Sequence, residues 1–377
     1  MSPLAKTLTQ AWLHRGPLAC ALWPLSLLMN VLVGARRFAF HHGWLISVRL
    51  PVPVVVVGNR VVGGAGKTPT TIALLQHLQA QGWHPGVLSR GYKASSAEGP
   101  PTLIDQASAA HVSVHATGDE PLLIWRRTQV PVMVERDRAQ GGLALLAAHP
   151  EIDILVCDDG LQHLRLQRDL ELIVFDERGG GNGWLLPAGP LREPVRVAPP
   201  PQVKAPPIVL YNARTASTNL PGHLASRHMA RLCPLADWWQ GRAPSQAFEA
   251  AAESAADSSS NTSARQVWAL AGIAHPERFF EALRAQGLAF QSLPLDDHAD
   301  FSALPWPAGA TDLIVTEKDA VKLTPERIQT ERPGCRVWVS ALDLRPEASL
   351  WAELDAGLAR LPRPTEPKRP TRPSPLA

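Results

Sequence analysis

The segment Gly58-Asn-Arg-Val-Val-Gly-Gly-Ala-Gly-Lys-Thr68 limits what this chain can fold into more than any other part of it. It follows an apolar, β-branched run at residues 52–57 and precedes a helical pattern over residues 68–79 that stops before Gly82. Strand, glycine-rich turn and helix in that order form the context a phosphate-binding loop requires. Gly63, Gly64 and Gly66, with Ala65 among them, let backbone N–H groups turn toward an anion, and the helix N-terminus adds partial positive charge. Lys67 is placed to neutralise β- and γ-phosphates, and the Thr68 hydroxyl to hold Mg2+. The strict pattern has glycine where this chain has Val61. A glycine-rich turn that merely caps a structural helix is the competing reading.

Further apolar runs at residues 86–88, 130–134, 152–157 and 170–175, separated by helical or loop segments, predict an α/β unit with a mainly parallel sheet of the P-loop NTPase type. The run Ile154-Leu-Val-Cys ends in Asp158 and Asp159, carboxylates at the carboxyl end of a buried strand, where a parallel sheet presents its ligands. Either could hold Mg2+ directly or through water; a solvated strand end is the bland alternative.

With 377 residues the chain can bury two cores, and 45% hydrophobic with 19% charged residues reads as globular. The expected division is an N-terminal membrane-interface region (1–45), a P-loop domain (46–215), a linker with a flexible insertion at 243–264 (216–265), a second, smaller α/β domain (266–360) and a basic tail (361–377). The apolar stretch at residues 18–33 is shorter than the roughly 20 residues needed to span a bilayer. Arg36 and Arg37 follow it, and Trp12, Trp23, Phe38, Phe40 and Trp44 surround it, the dress of a helix lying in the headgroup layer. A buried core helix, a true span or a signal peptide would read similarly. A net charge of +3 without a stripe of Lys and Arg interleaved with aromatics argues against nucleic acid. Four separated cysteines form no CxxC pair, which suggests neither zinc nor a disulfide framework and fits a reducing cytoplasm.

Four clusters are too polar and too glycine-marked for packing: Ser89-Arg-Gly-Tyr92, Gly118-Asp-Glu-Pro121, Asp158-Asp-Gly-Leu-Gln-His163, and Leu186-Pro-Ala-Gly-Pro-Leu-Arg-Glu-Pro194. With Ala271-Gly-Ile-Ala-His-Pro-Glu-Arg-Phe279 and Thr316-Glu-Lys-Asp-Ala-Val-Lys322, they make the chain resemble the tetraacyldisaccharide 4'-kinases, the lipid A 4'-kinases of Gram-negative bacteria. It departs from that pattern at Lys93 and Ala94, where the family usually has two glycines, and at Asp297-His298-Ala299, where a second histidine is usual.

The resemblance implies transfer of the γ-phosphate of ATP, with Mg2+, to the 4'-hydroxyl of an acylated glucosamine disaccharide 1-phosphate. It implies a peripheral or monotopic place on the cytoplasmic face of the inner membrane, with no obligate protein partner evident. Asp119 becomes the candidate acceptor of the hydroxyl proton; on the residues alone it is equally an N-cap for the helical pattern at 122–125. His275, at a strand-to-helix turn of the second domain, corresponds to the family histidine that pairs with that aspartate. Arg192 and Glu193 could serve the transferred phosphate and the Mg2+ hydration shell, Arg90 is a further phosphate ligand, and Lys318 and Lys322 could support domain contacts. The rival reading is a P-loop switch ATPase or GTPase acting through a membrane partner. A guanine-specific site would carry Asn/Thr-Lys-x-Asp, which Thr316-Glu-Lys-Asp319 imitates only loosely. A structural membrane scaffold would leave Lys67 and Asp119 unexplained.

Overall fold

The computed structural model describes residues 8–91, 101–109, 112–203, 205–242, 248, 266–297 and 299–361. Tyr92, Lys93, Ala94, His298, all of the 243–264 insertion except Phe248, and the tail beyond residue 361 lie outside the described residues.

Helix α1 (Pro17–His41) is 25 residues long, longer than the apolar stretch that marks it, because the helix continues through the arginine pair and the aromatic residues after it. Its length, about 37 Å at 1.5 Å per residue, would suffice to cross a bilayer. One stripe, however, packs on the protein: Ala19 and Ser26 are buried, and Met29 and Val33 lie against Val61, Ala65, Leu185 and Leu191. The opposite side is bare, with Leu25, Leu28, Val31 and Leu32 all more than half exposed.

Strand β1 (Val54–Gly58) leads into α2 (Lys67–Ala80), followed by β2 (Pro85–Ser89) and β3 (Thr102–Ile104). Helix α3 (Asp119–Thr128), β4 (Val132–Val134), α4 (Arg138–Ala148), β5 (Ile154–Asp158), β6 (Leu170–Asp176), β7 (Ile208–Asn212) and β8 (His223–Met229) continue the unit. β1 pairs in parallel with β5 and β6, β2 with β4 and β5, and β7 with β6 and β8. Every residue of β1 is buried: Val55 and Val57 join one apolar cluster and Val54 and Val56 the other. A strand covered on both faces is what its unbroken valine run requires.

The second sheet runs β11-β10-β12-β13-β9, from β9 (Cys233–Pro234), β10 (Val267–Ala271), β11 (Gln291–Pro294), β12 (Asp312–Thr316) and β13 (Arg336–Ser340). Helix α5 (Pro276–Ala285) follows β10, and the one-turn α6 (Glu317–Ala320) follows β12. The chain then returns to the first sheet. β14 (Leu342–Pro346) pairs antiparallel with β8, completing the order β14-β8-β7-β6-β1-β5-β2-β4-β3, and Gly357 of α7 (Ala348–Leu358) approaches Leu170 of β6. Two expected boundaries therefore shift. The segment read as linker contains β8 and β9; and of the residues read as the end of the second domain, 342–346 pair into the first sheet and α7 lies against its strand β6.

Candidate active site

The chemistry-bearing residues gather at the carboxyl ends of the parallel strands. After β1 the loop turns through Gly63 (φ 97°) and Gly66 (φ 89°), and α2 begins at Lys67. Gly66 is obligatory, since a Cβ there would stand 1.9 Å from Asn212 Nδ2 at the end of β7. Asn212 itself donates to Ala65 O at 3.2 Å and accepts from Arg227 Nε at 2.6 Å, so the loop is pinned from beneath. Asn59, fully buried, donates to Gly63 O at 3.1 Å and pins the loop from its start. The N–H groups of the first turn of α2, which lack intrahelical partners, are thereby held open to an anion.

Lys67 Nζ lies 3.4 Å from Asn59 Oδ1 and 3.8 Å from Asp159 Oδ2. Asp158 Oδ1 accepts from Thr71 Oγ1 at 2.7 Å, joining β5 to α2; Thr68, one turn earlier, is half-buried. Asp159 adopts a left-handed backbone (φ 49°), an uncommon state for a residue other than glycine and one that concentrates at functional sites. Burial pushes the Asp158 carboxyl up to about 7, and the neighbouring charges of Glu120 and Asp159 act in the same direction, against Thr71 and Lys67. Asp158 and Asp159 therefore stand side by side with Lys67 and Arg192 as the cations in contact with Asp159, while Glu120, whose charge also acts on Asp158, is paired with Lys318. Hard oxygen donors short of cationic compensation suit Mg2+, which takes one or two carboxylates and fills its shell with water and phosphate oxygens.

Arg192 Nη1 contacts Asp159 Oδ1 at 3.3 Å and Gln162 Oε1 at 3.4 Å. Glu193 is committed elsewhere: it receives Arg37 Nη1 at 3.0 Å and Gln162 Nε2 at 3.2 Å, with Arg60 Nε at 3.7 Å. Its two carboxylate oxygens are engaged by these cations and the amide. Arg90 is exposed just past the end of β2.

Asp119 is buried as the first residue of α3; Gly118, not Asp119, occupies the cap position. Its Oδ2 lies 3.7 Å from Lys322 Nζ and 4.0 Å from Lys318 Nζ. Lys318 also reaches Glu120 at 3.4 Å and Asp297 at 3.2 Å; burial disfavours its charge, but these three carboxylates outweigh that and raise its pKa. At the far end of α3, Arg127 bonds Glu317 at 2.7 Å and Asp343 at 2.5 Å. The turn around α6 thus grips both ends of α3.

His275 sits at the N-terminus of α5 without capping it, and its Nε2 is buried with no hydrogen-bond partner among the described residues. The preceding Ala274 faces the phosphate loop: a methyl group placed on Gly64 would lie 3.6 Å from Ala274 Cβ. Burial lowers the His275 pKa, and Arg278 and Arg178 add to the effect, so the imidazole is neutral at neutral pH. No hydrogen bond or ion pair joins Asp119 to His275 among the described residues. Each keeps its own charged surroundings, lysines for the first and arginines for the second.

Several residues of the site went unassigned from the sequence alone: Asn212 and Arg227 under the loop, and Arg178, which bonds Asp176 at 2.9 Å and Val62 O at 3.3 Å. Their signal is a polar residue ending an apolar run, as in Ile208-Val-Leu-Tyr-Asn212, which is indistinguishable from an ordinary strand end.

Comparison with known proteins places this geometry in context. The sequence pattern of the family described as Tetraacyldisaccharide-1-P 4'-kinase matches residues 18–359. A tetraacyldisaccharide 4'-kinase of Methylibium petroleiphilum is 51% identical over 368 residues, covering 98% of this chain and 96% of that protein. One of Leptothrix cholodnii is 52% identical over 360 residues, covering 95% of this chain and 98% of that protein. The crystal structure of an "apo" form of LpxK from Aquifex aeolicus in complex with ATP superposes with a TM-score of 0.71 at 26% identity, covering 91% of this chain and 99% of that one.

Proposed function

This chain belongs to the tetraacyldisaccharide-1-P 4'-kinase family, and from that premise we propose how its residues carry the reaction. The activity is ATP-dependent phosphorylation of the 4'-hydroxyl of an acylated glucosamine disaccharide 1-phosphate, a step of lipid A biosynthesis. The observation that carries the assignment of roles is the convergence of Lys67, Asp158, Asp159 and Arg192 on the open N-terminus of α2.

Backbone N–H groups of residues 63–68 and Lys67 bind the β- and γ-phosphates, while Arg192 and Arg90 serve the transferred group. Thr68, Asp158 and Asp159 would hold Mg2+, which when bound supplies charge neutralisation along the phosphate chain. Thr71 fixes the Asp158 carboxylate by donating to its Oδ1. On the acceptor side, Asp119 accepts the hydroxyl proton, and the neutral imidazole of His275 orients that carboxylate and takes the proton on once the two units draw together around substrate.

Helix α1 lies along the cytoplasmic face of the inner membrane, its exposed leucines and valines among the acyl chains. The support is its packed stripe, which runs from Ala19 to Arg37 on the P-loop unit and keeps the helix from leaving that unit to cross the bilayer. A substrate left in the membrane avoids extraction of its acyl chains, about 0.8 kcal/mol per CH2.

Asp119→Asn and His275→Ala test the acceptor roles. Each should lower kcat with ATP binding nearly unchanged, and the double variant should be little worse than the weaker single, because residues acting as one unit are non-additive. Losses that multiply would assign the two residues separate tasks.

A further inference from the structure

Arg36 and Arg37 look alike in the sequence, but the helix turns them apart. The Arg36 guanidinium lies over the Phe40 ring, 5.7 Å from its centroid. Arg37 turns inward: Nη1 bonds Glu193 Oε2 at 3.0 Å and Nη2 donates to Ala198 O. From Glu193 the contacts run on without a break. Gln162 Nε2 donates to Glu193 Oε1 at 3.2 Å and to Asn59 O at 3.3 Å, and Gln162 Oε1 receives Arg192 Nη1 at 3.4 Å. Arg192 meets Asp159 at 3.3 Å, and Asp159 stands 3.8 Å from Lys67.

Apolar contacts follow the same course. Ser26 Oγ donates to Leu185 O, and Met29 and Val33 rest on Val61 and Ala65 inside the phosphate loop. Val61, which replaces the glycine of the strict loop pattern, is 1% exposed and supplies the side chain on which α1 sits. Glu193 is itself 4% exposed. Without Arg37 its carboxylate would keep Arg60 at 3.7 Å as its ion-pair partner, with the buried Arg168 acting from farther away, and burial disfavours the charge of both. The carboxylate would then swing toward Arg60, and Gln162 and Arg192 would lose the register they hold at Asp159.

We propose that Arg37 and Gln162 are positioning residues for phosphoryl transfer, through which the seating of α1 against the protein is sensed at the phosphate loop. The proposal rests on the kinase reading and adds that the helix facing the membrane is also a structural part of the nucleotide site.

The test compares Arg37→Ala, Arg37→Lys and Arg36→Ala with the parent chain in detergent micelles at saturating ATP, Mg2+ and disaccharide 1-phosphate, where membrane partitioning no longer limits turnover. Arg37→Ala should lower kcat about 10- to 100-fold more than Arg36→Ala, the scale of a displaced catalytic group, with KM for ATP within about two-fold. Arg37→Lys should recover part of the loss, since an ammonium reaches one Glu193 oxygen but not Ala198 O as well. Equal kcat in Arg37→Ala and Arg36→Ala, or full recovery of Arg37→Ala on raising the lipid concentration, would overturn the proposal and leave Arg37 a surface anchor. If Arg37→Ala does not fold, Gln162→Met decides: it removes all three hydrogen bonds of the amide at similar volume and should show the same kcat-selective loss, and parental kcat would overturn the relay. Failure of the parent chain to phosphorylate the lipid would instead sink the kinase reading.

Discussion

Replacing Gly66 by alanine should disable the phosphate loop through two separable costs. The left-handed backbone at this position, φ 89°, costs an L-residue about 1–2 kcal/mol. The new Cβ would also stand 1.9 Å from Asn212 Nδ2, a contact that cannot persist. Asn212 is 2% exposed and cannot yield without losing its bond to Ala65 O, worth about 1 kcal/mol, and its bond from Arg227, worth about 1.5–3 kcal/mol. The total of about 3.5–6 kcal/mol is a large share of the roughly 5–15 kcal/mol typical of a folded domain. The chain has two ways to respond: to lose that stability, or to abandon the loop conformation. In the second case ATP affinity falls by about 100-fold or more, at 1.4 kcal/mol per decade. Denaturant unfolding and ATP titration on the same preparation measure both. Asn212→Ala separates the costs, because it removes the obstacle while leaving the backbone strain. Gly66→Ala with Asn212→Ala should therefore be less damaged than the sum of the two singles. Gly66→Ala with parental stability and parental ATP affinity would refute the reasoning.

Lys67→Ala should lose about 10²- to 10³-fold in kcat while its unfolding midpoint stays near parental, since the ammonium serves the phosphates and not the core; in Thr68→Ala, raised Mg2+ should restore part of the activity. The Asp158 carboxyl makes stability pH-dependent. Between its ordinary value of 3.8 and about 7 the metal-free folded protein holds a proton that the unfolded chain has released, so this group's contribution to stability falls as pH rises through that window. Calorimetry should show the stabilisation by Mg2+ growing across the same range and flattening in Asp158→Asn; a Mg2+ effect independent of pH would contradict the assignment. Arg127→Ala should cost about 2–3 kcal/mol and open the contact between the units, because Glu317 is left buried with, among the described residues, Trp238 Nε1 and Leu342 N as its remaining partners. Limited proteolysis with and without substrate reads that opening.

The phosphate loop and the aspartate pair were legible in the sequence because local chemistry defines them: glycines where the backbone must turn, a lysine at a helix start, carboxylates ending an apolar strand. What escaped depends on contacts distant in sequence. β8 reads His-Leu-Ala-Ser-Arg-His-Met with no clean alternation, and only its ladder with β14, from Leu342 opposite Met229 to Pro346 opposite Ala225, makes it a strand of the first sheet. Nothing local in residues 342–346 indicates which sheet they join. The extent of α1 escaped because counting apolar residues stops at Val33, whereas a helix continues wherever one face stays useful. Ser26, Met29, Val33 and Arg37 recur at intervals of three and four, a packed stripe readable from helical periodicity had the arginines not been grouped by charge. Arg192 and Glu193 are neighbours in the sequence, yet their side chains diverge: one meets Asp159, the other Arg37, which only the fold reveals.

The central claim is that the site at the N-terminus of α2 moves a phosphoryl group onto a lipid-linked sugar. Its most direct measurement is a single-turnover reaction of the purified chain in detergent, with γ-labelled ATP, Mg2+ and the acylated disaccharide 1-phosphate, followed by location of the label in the product. The account predicts one label per lipid at the 4'-oxygen, at a rate that collapses in Lys67→Ala. Release of the label as inorganic phosphate, with the lipid unchanged, would contradict it and return the chain to the class of switch ATPases.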